Sequence, residues 1–178
     1  VTRLVAFLRA VNVGGRTVKM DALRAAFEAL AFTRVETFIA SGNVVFDSKA
    51  RDLAALERKI EAQLLAHFGF EIDTFVRPMA EIAALAAHPA FDADTARTRT
   101  QVVGFLRAPP SPEAMKTIAA LSTDADRLHL QGRALFWHSS NSQADTNFSN
   151  AAFERALKMR STFRGIASLR KLVAKHGD

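Results

Sequence analysis

The 178-residue chain has no cysteine, no tyrosine and a single tryptophan. Without thiols it has no disulfides, no thiolate-held zinc, no iron–sulfur cluster and no thiol nucleophile. Such a chain suits a reducing cytoplasm, the compartment the sequence leads us to expect. No apolar run approaches the roughly 20 residues needed to cross a bilayer, so no membrane partner is expected. The opening Val1-Thr2-Arg3-Leu4-Val5-Ala6-Phe7-Leu8 has too short an apolar stretch and no small-residue cleavage site, so a signal peptide is not expected either. The remaining composition, 49% hydrophobic and 24% charged, excludes disordered and fibrous classes. The length fits one large domain or two small ones.

The net charge of +6 is unevenly placed. From Glu154 onward, seven cations (Arg155, Lys158, Arg160, Arg164, Arg170, Lys171, Lys175) face two acids, Glu154 and Asp178, so that segment carries +5. A basic segment attracts phosphates, nucleic acid or an acidic partner through its summed field, or it is a solvated helix face.

Val5 to Arg9 reads as a buried strand, followed by turn chemistry at Asn12-Val13-Gly14-Gly15-Arg16-Thr17. Met20, Leu23, Phe27 and Leu30 fall at helical spacing. Val35–Ile39 and Val44–Phe46 then flank a Gly-Asn turn, a hairpin signal. Asp52 caps a second helix with Leu53, Leu56, Ile60 and Leu64 on one face, a strand follows over Glu71 to Arg77, and Pro78 opens a short helix. The same order then recurs. Val103-Gly104-Phe105-Leu106-Arg107-Ala108 repeats Val5-Ala6-Phe7-Leu8-Arg9-Ala10 with one change, Ser111-Pro112 opens a helix, and Gly132-Arg133 turns a second hairpin. Phe148 to Leu157, Ser161 to Phe163 and Ile166 to Lys175 complete the second set as helix, strand and helix.

Strand–helix–strand–strand–helix–strand is the split βαβ pattern. The expected fold is therefore α+β: two tandem ferredoxin-like (alpha-beta plait) repeats with antiparallel sheets, each burying one sheet face under its helices. The first spans residues 1–90 and the second, with the basic C-terminal helix, 98–178.

Topology then suggests where ligand chemistry sits. In such a sheet the first and second strands run parallel, so the loop after the first strand lies at the same edge as the hairpin turn. That brings Arg9, Asn12, Gly14, Gly15 and Lys19 beside Ser41, Gly42 and Asn43. Glycines permit close approach of backbone to ligand, helix N–H groups favour an anion, and the side chains add charge and hydrogen bonds. The corresponding corner of the second repeat, Arg107-Ala108-Pro109-Pro110 with Gly132-Arg133, has prolines that stiffen the loop and remove donors.

Leu8-Arg9-Ala10-Val11-Asn12-Val13-Gly14-Gly15, Lys19-Met20 and Ser41-Gly42-Asn43-Val44-Val45-Phe46 together resemble the signature of the family catalogued as domain of unknown function 1697. The resemblance extends through Asn150 and Glu154 to Thr162, Arg164, Lys171 and Leu172. It implies a bacterial protein of two ferredoxin-like repeats with no established biochemical activity. Two departures stand out. Position 10 is Ala where such sequences usually have Gly. Their Thr-Thr-Arg-Asn-Trp is here Thr162-Phe163-Arg164-Gly165-Ile166, with Ser168 in place of a following Thr. Arg164 and Lys171 remain from that motif as candidate phosphate contacts.

Other chemistry has little support. The five histidines form no H-x-x-x-H pair, and Asp92/Asp94 and Asp124/Asp126 lack a third ligand, so no metal site is expected. His138-Ser139-Ser140 lacks a nucleophile elbow. Base stacking as in an RNA recognition motif is disfavoured, because Asn43–Asp47 offers one aromatic residue. The expectation is a cytoplasmic binding module for a phosphate-bearing ligand, a nucleotide or a nucleic-acid backbone. Its competitors are an enzyme acting on a phosphorylated or carboxylated small molecule at the same corner, and a structural or regulatory interaction module. No cofactor, catalytic residue or protein partner can be named.

Overall fold

The computed structural model describes residues 1–11, 13–38, 42–89, 100–142 and 149–177. The first repeat contains β1 (Thr2–Leu8), α1 (Met20–Glu28), β2 (Thr33–Thr37), β3 (Asn43–Ser48), α2 (Leu53–Phe68), β4 (Thr74–Pro78) and α3 (Met79–Ala86). The second contains β5 (Thr100–Leu106), α4 (Pro112–Ala120), β6 (Asp126–Gln131), β7 (Ala134–Ser139), α5 (Asn150–Leu157), β8 (Ser161–Gly165) and α6 (Ile166–His176). The strands pair antiparallel in the orders β2-β3-β1-β4 and β6-β7-β5-β8. This is the ferredoxin-like arrangement, built twice. Val5 pairs with Arg77 and Val103 with Arg164, so the recurring Val-x-Phe-Leu segments hold equivalent places.

Local signals set the helix ends. Asp52, Ser111 and Ser149 each accept the backbone N–H three residues on, at 3.0, 3.1 and 3.1 Å, which satisfies donors that α2, α4 and α5 would otherwise leave free. Gly69 closes α2 in a left-handed conformation.

In the first unit, Leu4, Ala6, Leu8, Val44, Phe46 and Val76 meet Leu23, Ala26 and Phe27 of α1 and Leu56, Ile60 and Leu64 of α2. The second unit packs Val102, Leu106, Leu135 and Trp137 against Ile118 of α4 and Phe153 and Leu157 of α5. Trp137 donates its Nε1–H to Asp126 Oδ1 at 3.0 Å, so the buried indole keeps its hydrogen bond. The helices cover one face of each sheet as expected, and the alternate face is buried as well. Val5, Phe7, Val45 and Phe75, on the alternate face of the first sheet, are fully buried, as are Val103, Phe105 and Phe136 of the second. The unbroken apolar run Leu4–Leu8 is what a strand buried on both faces requires.

Val1–Ile82 with Leu172–Asp178 form one compact unit, and Ala83–Lys171 another. Within the first, His176 near the end of α6 is buried, with Nδ1 3.4 Å from Arg3 Nη2 and its ring edge-on to Phe38. Arg3 also reaches Asp47 at 3.1 Å and Glu36 at 3.3 Å.

Candidate functional site

Two loops meet at one end of the first sheet. The Leu8 N–H donates to Gly42 O at 2.8 Å, which ties the end of β1 to the hairpin turn. A β-carbon on Gly42 would lie 2.5 Å from Val11 Cγ2 and 3.0 Å from Leu8 Cβ, and Gly42 has φ +80°. Glycine is thus required twice over, by conformation and by the neighbouring loop. The Arg9 N–H donates to Asp73 O at 2.9 Å, which anchors the same loop to the approach to β4. Ala10 is left-handed at φ +57°, the conformation glycine adopts without strain.

Beyond this anchor the loop is open. Gly14 (φ +64°) and Gly15 (φ +82°) are exposed, and no heavy atom lies within 4 Å of where their β-carbons would stand. Conformation, and not packing, asks for glycine at both positions. Lys19, also exposed, occupies the N-cap of α1 and supplies no side-chain cap. Helices α2, α4 and α5 have their caps, so the uncapped first turn of α1 contrasts with them. Asp21 in that turn places one carboxylate near the helix dipole.

Asn43 is turned inward. It is the first residue of β3, 3% exposed, and its Nδ2 donates to Phe38 O at 2.9 Å, so it closes the hairpin from inside. Asn12 and Ser41 lie outside the described residues. The structure therefore gathers Arg9, Gly42 and Asn43 at the anchor and Gly14, Gly15 and Lys19 along the open part of the loop. The second repeat reproduces the anchor, with the Leu106 N–H donating to Arg133 O at 3.0 Å.

The basic segment divides by burial. Lys171 is exposed on α6. Arg164 is half-buried on β8, where its Nη1 donates to Thr162 Oγ1 at 2.8 Å and to Phe163 O at 2.9 Å. Burial pushes its guanidinium down to about 10, so it remains charged at neutral pH. Sequence reasoning missed its counterpart. Arg77 holds the same register on β4, is fully buried, and donates to Val76 O at 2.8 Å, the equivalent carbonyl. Glu57 of α2 lies 3.4 Å from Arg77 Nη1 and accepts the Val76 N–H at 2.8 Å. An arginine directly after Phe75-Val76 in a short strand segment was the available signal.

His138 on β7 is buried, and its pKa is lowered by burial first, then by Arg127 and His88. Asp126 holds the Trp137 indole, while Asp92 and Asp94 lie outside the described residues. Among the described residues there is no cluster of three or more side chains able to hold a metal ion, and no helix long and apolar enough to cross a membrane.

The family model described as Protein of unknown function (DUF1697) matches residues 1–136, and the chain belongs to that family. The match ends within β7, ahead of the altered Thr162–Ile166 segment. Among solved structures, the conserved bacterial protein SP0830 from Streptococcus pneumoniae is similar over 99% of this chain and 99% of its own, with a TM-score of 0.73 and 23% identity. That likeness extends to the fold alone. No curated protein matches the chain.

Proposed function

We propose that this member of the family is a binding module for a phosphate-bearing ligand at the corner formed by the β1–α1 loop and the β2–β3 turn. One observation carries the reading: a loop anchored by Gly42 presents an open Gly14-Gly15 backbone leading into a helix whose first turn has no side-chain cap and begins at exposed Lys19. Free N–H groups at a helix start suit an anion, and Lys19 adds a point charge. Arg9 and the segment around Asn12 and Ser41 complete the proposed site. A nucleotide phosphate and a nucleic-acid backbone share this chemistry.

The test is an amide NMR titration of wild type and Lys19→Ala with inorganic phosphate, a nucleoside monophosphate and a short DNA duplex. Amides from Gly14 to Asp21 and at Gly42 are expected to shift. Loss of a charged hydrogen bond worth about 1.5–3 kcal/mol corresponds to roughly 10- to 150-fold weaker binding by Lys19→Ala. Stability should change by no more than about 0.5 kcal/mol, because the side chain is exposed. Absence of shifts at these amides with all three ligands would leave the corner as two tight turns and sink the reading.

A further inference from the structure

The opposite end of the first sheet carries a cavity of about 700 Å³. The antiparallel register pairs Thr2 with Ser48 at this end and Phe7 with Asn43 at the corner end, so the two places are separated by the length of the strands. The cavity is open to solvent between the α1–β2 loop and the β3–α2 loop. Its floor is mostly apolar, made by Leu30, Phe32, Ala50, Ala55 and Leu56. A volume of this size lies within the usual range for small-molecule sites, about 300–1,000 Å³.

Both walls are held in place by their own bonds. On one side Phe32 packs on Phe46 with ring centroids 4.6 Å apart and on Phe27 at 6.1 Å. On the other, the Ala50 N–H donates to Ser48 Oγ at 3.1 Å, and Asp52 Oδ1 accepts the Ala55 N–H at 3.0 Å. A site built on such bonds exists before a ligand arrives, which reduces the ordering cost of binding.

The rim is basic. Lys49, Arg51 and Lys59 are exposed, and none of them forms an ion pair among the described residues. Lys59 Nζ stands 5.9 Å from the Phe32 ring centroid, so one charge already lies over the apolar floor. The acids nearby are engaged: Asp47 sits between Arg3 at 3.1 Å and Arg34 at 3.4 Å, and Asp52 caps α2. An apolar floor beneath three cations complements a molecule with an apolar body and one anionic end.

We propose that this cavity binds a small amphipathic anion, an acyl or aryl body with a carboxylate or phosphate head at the Lys49, Arg51 and Lys59 rim. This is a second site, independent of the corner. The experiment is an amide NMR titration of the full chain with octanoate, octyl phosphate, octanol and acetate. Octanol carries the body without the charge, and acetate the charge without the body. Octanoate or octyl phosphate should shift amides of residues 30–33 and 48–55 saturably, and the preferred one identifies the head group. Octanol should bind about tenfold more weakly, because it leaves three modest ionic contacts unmade, and acetate should leave these amides unmoved. The variant Lys49→Gln/Arg51→Gln/Lys59→Gln should weaken the anion by about tenfold and leave octanol within about twofold. Ala55→Phe, on an exposed helix position that lines the cavity, should abolish binding with the unfolding temperature preserved. The proposal is overturned if neither amphiphilic anion shifts residues 30–33 or 48–55, if octanol binds as tightly as the anions, or if folded Ala55→Phe binds like wild type. Shifts near Lys19 and Gly42 report the other site, so the two readings succeed or fail separately.

Discussion

Gly104 and Phe163 provide a test of how the two repeats have diverged around a common register. In the first repeat Ala6 pairs with Val76; at the equivalent place in the second, Gly104 pairs with Phe163. A β-carbon on Gly104 would stand 2.8 Å from Cε1 and Cζ of the Phe163 ring, closer than packed carbons approach. The ring is confined by Phe153, whose centroid is 5.5 Å away. Overpacking of this kind costs about 1–3 kcal/mol, and replacing a strand glycine by alanine recovers roughly 0.5–1 kcal/mol. Gly104→Ala should therefore lose about 0.5–2 kcal/mol, or a few degrees of unfolding temperature in a chain of this length. Phe163→Val, which leaves a void at a half-buried site, should lose about 1–3 kcal/mol. The pair recreates the Ala–Val arrangement of the first repeat, so the double variant should be more stable than the sum by at least about 1 kcal/mol. Trp137, the sole tryptophan, lies in the same core cluster as Phe163 and reports unfolding of this unit by fluorescence. Losses that add to within about 0.5 kcal/mol, or a Gly104→Ala variant more stable than wild type, would refute the packing argument.

Two further outcomes follow from backbone and burial. Ala10 sits at φ +57°, which costs a non-glycine residue about 1–2 kcal/mol, while glycine loses roughly 0.4–1 kcal/mol through its freer unfolded chain. Ala10→Gly should accordingly raise the urea midpoint by the equivalent of about 0.5–1 kcal/mol, and a lowered midpoint would contradict the assigned strain. His138 and His176 both have pKa values lowered below 6.5 by burial, so the unfolded chain takes up their protons first as pH falls. Their contribution to stability is present above pH 6.5 and is lost as pH drops through the folded values. Wild type should show this loss below pH 6.5 and His138→Gln/His176→Gln a smaller one; equal slopes for the two would dismiss burial of the neutral rings as its cause.

Local periodicity and turn chemistry were enough to read the order of strands and helices along the chain. They also place Asp52, Ser111 and Pro112 correctly, because caps and first-turn prolines act within a few residues. Other features depend on contacts that no window contains. Asn43 looks like a turn residue beside Gly42, and only the pairing of β3 with β1 puts it inside. Arg77 is spaced like any strand residue, and its relation to Arg164 appears once both registers are known. His176 meets Arg3 across 173 positions, and the cavity gathers residues from Leu30 to Lys59. Of the corner, the juxtaposition of loop and turn was legible, but the close fit of Gly42 against Val11 was not.

Of the four edge strands, β2 and β6 differ in how they face other chains. The pairing of β2 with β3 slips between Thr33 and Glu36, where Arg34 is left-handed at φ +49° and exposed, with its side chain drawn to Asp47. A bulge there interrupts the even ladder of donors and acceptors that a foreign strand needs, so β2 is a poor template for cross-chain pairing. By contrast, β6 pairs with β7 in unbroken register over all six of its residues. Part of its outer edge is already taken, since the Leu128 N–H donates to Ser122 Oγ at 3.2 Å and the Asp126 N–H to Thr123 Oγ1 at 2.9 Å, and exposed Arg127, His129 and Gln131 guard the rest. Strand addition in destabilised variants should therefore favour the His129–Gln131 end of β6 over β2.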